Sequence, residues 1–239
     1  MDRRLGERAM TDRFRDAFGD WTPEAVVFDC DGLLLDTESV WERTQSVMLA
    51  RYGVAEEDTD LDALVGSTLE EAAAAIARAA GREEAAVLVE TRDLFLEHLG
   101  GEIRVMPGAR AVLEATAARV PIACASNSWL EALEDKLERS GLRPLFRAVE
   151  AADTVARPKP APDMYVAAAR ALGADPGRTL AFEDSATGGR AAVAGGLRLI
   201  GVPPAGVALP GAALHLEDLE DPQLLDWIAS WPARPAREA

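Results

Sequence analysis

The chain has 239 residues, long enough for one large domain or for a core domain with a smaller insertion. Its 41 acidic against 25 basic residues give a formal net charge of −16, with no Lys/Arg-rich run, which argues against nucleic acid and anionic membranes as partners. An anionic substrate must therefore be captured locally, by a metal ion, a lysine or a helix N-terminus.

Residues 1–22 read as a polar leader with a weak helical pattern, without the apolar core of a signal peptide. The first strand is expected in "AVVFDC" (25–30). From Thr37 to about Met106 the pattern turns helical, and "TLEEAAAAIARAAGREEAAVLVETRDLFLEHL" divides into two helices at Gly81. That stretch is too long for a simple crossover and reads as an inserted helical domain. Pro107 and Gly108 mark the return to the sheet. Further strands are expected at 120–126, 146–152, 179–184 and 197–202, with helices near 128–140, 162–172 and 186–195. The implied fold is α/β: a Rossmann-like parallel sheet flanked by helices, with an inserted helical cap domain. The core would comprise 23–36 and 107–231, the cap 37–106, and a short tail 232–239.

No apolar stretch reaches the ~20 residues of a membrane span. Cys30 and Cys124 lie inside apolar runs and read as buried thiols of a reduced, cytoplasmic protein. His98 and His215, remote from the motifs, read as surface or packing residues.

Ligands of open parallel sheets bind beyond the carboxyl ends of the strands. The first strand ends in Asp29, Asp31 and Gly32, the second in Ser126 and Asn127, the fourth in Glu183, Asp184 and Ser185. Before the fourth strand "ARPKPAPDMY" carries Lys159 between two prolines, which fix its backbone and restrict where its side chain points. An Asp or Ser at any one of these places is ordinarily a helix cap or turn former. "DCDG" fails as a calcium loop, because Leu34 stands where that loop needs Gly and Val40 where it needs Glu. Four such features at one sheet edge are harder to read as independent caps. Four carboxylates in one pocket would raise each other's proton affinity unless a cation lay among them. All-oxygen ligation without His or Cys favours Mg²⁺. Carboxylates, a metal, a hydroxyl and Lys159, taken as the only lysine near the pocket, make up a set suited to phosphoryl transfer.

"DCDGLLLDT", "CASNS", "RPKPAPDMY" and "AFEDSATGGRAAVAGG" resemble, in order, the four motifs of the haloacid dehalogenase-like hydrolases, in the phosphatase and β-phosphoglucomutase-like branch with a helical cap after the first motif. The resemblance implies Asp29 as nucleophile and Asp31 as general acid and base. Ser126, Asn127 and Lys159 would bind phosphate. Asp29, Asp184, Glu183 and the main-chain carbonyl of Asp31 would hold Mg²⁺. It implies hydrolysis of a small phosphorylated metabolite, with sugar phosphates among the candidates, through an aspartyl-phosphate. Glu38, Trp41, Arg43 and Thr44 should face the pocket mouth, with Glu38 and Trp41 as specificity residues. The monomer or a weak dimer is expected.

Family relatives that release halide lack an acid at the place of Asp31, and those that cleave phosphonates need a cap lysine, of which 37–105 has none. The mutase alternative requires a cap arginine and a histidine where this chain has Leu69 and Trp41. A phosphoryl-accepting signalling module, the remaining alternative, would carry its aspartate on a later strand and no cap.

Overall fold

The computed structural model describes residues 13–55, 68–100 and 103–232. Six parallel strands form one sheet in the order β3-β2-β1-β4-β5-β6: β1 (Ala25–Phe28), β2 (Ile122–Ala125), β3 (Ala148–Glu150), β4 (Thr179–Glu183), β5 (Arg198–Gly201) and β6 (Leu214–His215). Central parallel strands are covered on both faces and so read as continuous apolar runs. β1 shows why that run is needed. Val26 and Phe28 pack into one core with Ile122, Cys124, Leu180 and Phe182, while Val27 points the other way, into a second core with Ala123, Ala181, Met164 and Tyr165. Both cysteines are free and buried.

α4 (Ala109–Ala117) and α8 (Pro222–Ser230) cover the first face, and α6 (Asp163–Ala171) and α7 (Ala186–Ala194) the second. α5 (Leu130–Arg139) follows β2 and buries Ala132, Leu133, Lys136 and Leu137. Because β1 is flanked by β2 and β4, the chain winds away from it in both directions, leaving a crevice beyond its carboxyl end.

The cap contains α1 (Glu38–Tyr52), α2 (Leu69–Ala80) and α3 (Glu84–Leu99). It has its own core of Met48, Leu49, Ala73, Ile76, Ala77, Val87 and Leu94. α2 begins with a capping box, in which the Thr68 hydroxyl accepts from the Glu71 amide and the Glu71 carboxylate accepts from the Thr68 amide. It ends at Gly81 in the left-handed region (φ 63°), the break expected from sequence. The two linkers run side by side, the Asp36 amide donating to Arg104 and the Met106 amide to Leu34, at 2.9 and 2.8 Å.

Three features depart from the sequence reading. β6 is too short to leave an apolar run. The C-terminal helix α8 carries core residues Leu224 and Ile228. The leader is not polar throughout: residues 13–18 are helical, and Phe14 and Phe18, 2% and 4% exposed, stack on Trp227 at 4.9 and 4.8 Å. Their i, i+4 spacing puts both rings on one helix face, hidden among charged neighbours in the sequence. Among the described residues no helix is long and apolar enough to cross a membrane.

Candidate active site

The β1 ladder continues one residue past the strand, where the Asp29 amide donates to the Phe182 carbonyl at 3.0 Å. The chain then turns sharply: Gly32 takes φ 83°, and the amides of Leu34 and Leu35 both donate to the Cys30 carbonyl at 2.9 and 3.0 Å. The buried leucines 33–35 anchor this turn in the core, so the two aspartates project into the crevice. A cleft there is lined by Asp29, Asp31, Ser126, Asn127, Lys159 and Asp184, together with Thr37, Ser128, Ser185 and an apolar group from the cap side. Of the sequence-expected residues, Asp29, Asp31, Ser126, Asn127, Lys159 and Asp184 thus converge on one cleft.

Lys159, 2% exposed, uses all three ammonium protons: on Asp29 at 2.5 Å, Glu183 at 2.6 Å and the Ala125 carbonyl at 2.9 Å. Its main chain is fixed by Asn127, whose side-chain oxygen accepts from the Lys159 amide at 3.0 Å and whose Nδ2 donates to the Lys159 carbonyl at 3.2 Å. The Asn127 side chain, expected at the phosphate, lines the cleft and also holds the main chain of the lysine. Glu183, fully buried, also accepts from the Tyr165 hydroxyl at 2.9 Å and from the Ser185 amide and hydroxyl, each at 3.0 Å.

The Glu183 carboxylate fits only because residue 188, in the first turn of α7, is glycine: a Cβ there would overlap it. Ala normally stabilises a helix relative to Gly by roughly 0.5–1 kcal/mol. Gly188→Ala should instead destabilise by about 1–3 kcal/mol through overpacking and push Glu183 off Lys159, with loss of activity. Gly189→Ala, whose Cβ would meet only side chains at 3.4–3.8 Å, should be tolerated. Thermal melts of the two variants check this contrast.

Asp31 has different partners. Its carboxylate accepts from Thr37 at 2.5 Å, Ser126 at 2.6 Å and Ser128 at 3.1 Å, and forms an ion pair with Lys136. Lys136 is 0% exposed and also donates to Ser128 at 2.8 Å. The expectation that Lys159 is the only lysine near the pocket is therefore wrong: the chain's two lysines, among 25 basic residues, are both buried here, one under each aspartate. Scarcity was the available signal, along with the place of Lys136 on the buried stripe of α5, one turn from Ala132 and Leu133. Thr37 and Ser128 also went unforeseen.

These surroundings separate the two carboxylates. Burial pushes the Asp29 carboxyl well above its ordinary range; Lys159 pulls it down, and Glu183 and Asp31 push it up further. Burial works in the same direction on Asp31, but Lys136 and the hydroxyls of Ser126 and Thr37 outweigh it and hold the group well below the usual carboxylate range. Asp29 and Glu183 keep Lys159 charged despite its burial.

Asp29, Glu183 and Asp184 each place a carboxylate oxygen within 4.8 Å of the others. Such hard oxygen donors suit a divalent cation of the Mg²⁺ kind. Since four donors already occupy Glu183, the residues best placed to meet an ion from the cleft are Asp29 and Asp184. The Asp31 carboxylate, turned towards Lys136, is not one of this group.

On the cap side, Trp41 lines the cleft and packs edge-on against Phe95 at 5.3 Å, which meets Trp129 at 6.0 Å. Glu38 begins α1, and its side chain lies outside the described residues. Two expectations are corrected: Arg43 is exposed away from the cleft lining, and Thr44 is buried inside the cap, donating to the Val40 carbonyl at 2.8 Å and lying 2.9 Å from His98 Nδ1. Two residues after Trp41, Arg43 falls on the opposite side of α1, whereas Thr44, three residues on, turns into the cap towards His98.

Residues 23–196 match the family described as "haloacid dehalogenase-like hydrolase". The chain is 32% identical to a bifunctional riboflavin kinase/FMN phosphatase of Arabidopsis thaliana over 74% of its own length, but spans only 48% of that protein. It is 32% identical to fructose-1-phosphate phosphatase YqaB of Escherichia coli, with 74% of this chain and 95% of that one covered. Among solved structures, a variant of CbbY from Rhodobacter sphaeroides in complex with xylulose-(1,5)bisphosphate is similar, with a TM-score of 0.71 and 29% identity over 83% of this chain and 95% of that one.

Proposed function

The chain belongs to the haloacid dehalogenase-like hydrolases, and we propose that it is a phosphatase that hydrolyses small phosphorylated metabolites, sugar phosphates among them, by a Mg²⁺-dependent route through an aspartyl-phosphate. The observation that carries this reading is the pairing of two aspartates in one cleft, each on its own buried lysine, with Asp184 beside the first.

In this reading an Asp29 oxygen attacks phosphorus in line and the ester bond to the leaving oxygen breaks. Asp31, in its protonated form, gives its proton to that oxygen. In the second half-reaction Asp31 as carboxylate, the form its neighbours favour, takes a proton from the water that cleaves the aspartyl-phosphate. Lys159 holds Asp29 in place and offsets negative charge beside it; Ser126 and main-chain amides at the end of β2 cradle the phosphoryl oxygens. Asp29, Asp184 and the Asp31 carbonyl would hold Mg²⁺, which when bound supplies positive charge against the phosphoryl group and favours ionised Asp29. Residues 37–106 serve as the cap that excludes bulk water.

A screen of phosphorylated metabolites should show phosphate release that requires Mg²⁺ and stops on chelation. Incubation with β-glucose 1-phosphate and a trace of the 1,6-bisphosphate should give free phosphate. Glucose 6-phosphate without phosphate release would make the chain a mutase, and a phosphorylated protein stable for hours without turnover would make it a signalling module.

A further inference from the structure

The cleft has two chemically distinct ends. The phosphate end is polar and held by Lys159 and Lys136. The far end, where the leaving group must lie, is walled by Trp41 of α1, Leu69 at the start of α2, Phe95 of α3 and Trp129 after β2. Three of these are aromatic and lock edge to face, so they present a rigid apolar surface.

No basic side chain among the described residues joins that wall. Both lysines are spent on the aspartates beneath. Arg92, 5.5 Å from the Trp129 ring centre, is paired with Glu131 at 3.1 Å and is absent from the cleft lining. The sequence between Arg51 and Arg78 contains no Lys or Arg at all and several acids, and the whole chain carries −16. A second anionic group would meet no counter-charge and would lose its hydration against indole and leucine. An uncharged group with a flat C–H or ring face would instead cover apolar surface.

We infer that the substrate is a phosphate monoester with an uncharged leaving group that lays an apolar face on Trp41, Phe95 and Trp129, and that bisphosphates and phosphocarboxylic acids are excluded. This rests on the phosphatase reading and deepens it. The exclusion sets this cleft apart from that of the CbbY variant, which holds a bisphosphate.

The test uses three esters of primary alcohols, so that leaving-group chemistry is nearly constant: benzyl phosphate, 4-carboxybenzyl phosphate and 2-hydroxyethyl phosphate, each with the Mg²⁺-loaded full chain. The kcat/KM for benzyl phosphate should exceed that for the carboxylate analogue by at least about tenfold, and that for the hydroxyethyl ester by a similar factor. Trp41→Ala should lower the benzyl value most, and Leu69→Arg should raise the carboxybenzyl value about tenfold relative to benzyl. Equal use of benzyl and carboxybenzyl esters, or preference for the anion, would overturn the inference while leaving the phosphatase intact. Hydrolysis of none of these esters, nor of any in the metabolite screen, would remove the phosphatase reading and this inference with it.

Discussion

Asp29→Asn is expected to abolish turnover, by at least about 10⁴-fold in kcat, while leaving the fold in place. The amide keeps the shape of the carboxylate but cannot form an ester with phosphorus, so no remaining group can take over the first half-reaction. The fold should tolerate the change because Lys159 retains the Glu183 carboxylate at 2.6 Å and the Ala125 carbonyl at 2.9 Å, and an asparagine oxygen can still accept the third proton. Because burial and the neighbouring carboxylates disfavour a charge on Asp29, the neutral amide should cost little stability, under about 1 kcal/mol net of the weakened hydrogen bond. Phosphate release and a thermal melt measured together separate the two effects. Acid-quenched wild-type enzyme, digested and weighed, should show a phosphoryl adduct on the peptide holding Asp29; near-wild-type activity in the variant would overturn the nucleophile assignment.

How much of this was legible follows from which residues leave a one-dimensional trace. β1 and β4 are central parallel strands, so burial on both faces forces runs such as "AVVF" and "TLAFE", and the acids that end them stand out. The glycine stop after α2 and the cap insertion were visible for the same reason: breaks in periodicity are local. What stayed hidden depends on partners distant in sequence. Asn127 reads as a phosphate ligand, and its second role, its amide clamping the main chain of Lys159 32 residues away, leaves no trace in the sequence. Phe14 and Phe18 sit among charges that give the leader a polar average, and only Trp227, from the other end of the chain, reveals their face. Lys136 was the larger omission. A lysine on an amphipathic helix ordinarily belongs to the solvated side, and nothing near it in sequence announces a carboxylate 105 residues upstream.

Lys136 therefore supports the second large prediction. A fully buried ammonium is tolerated only with its charge answered, and here the answer is Asp31. Lys136→Met keeps the length and apolar stem but leaves the Asp31 carboxylate, 23% exposed at the cleft, with hydroxyl donors and cleft water alone. Breaking a fully buried pair from one side costs about 3–5 kcal/mol; because Asp31 still meets the cleft, the loss should lie at about 2–3 kcal/mol and the melting temperature should fall by several degrees. Lys136→Met combined with Asp31→Asn removes the stranded charge and should recover much of that loss, with strong non-additivity in a double-mutant cycle. Activity should behave differently. Without Lys136 the Asp31 carboxylate loses the partner that fixes its direction, so kcat should drop about 10²-fold or more even where the protein is still folded. The double variant, although restabilised, should be slower still, because it has no group left to move the proton. If the double variant were no more stable than Lys136→Met, the two charges would not be answering one another; if Lys136→Met kept full kcat below its melting temperature, Asp31 would not need the lysine to work.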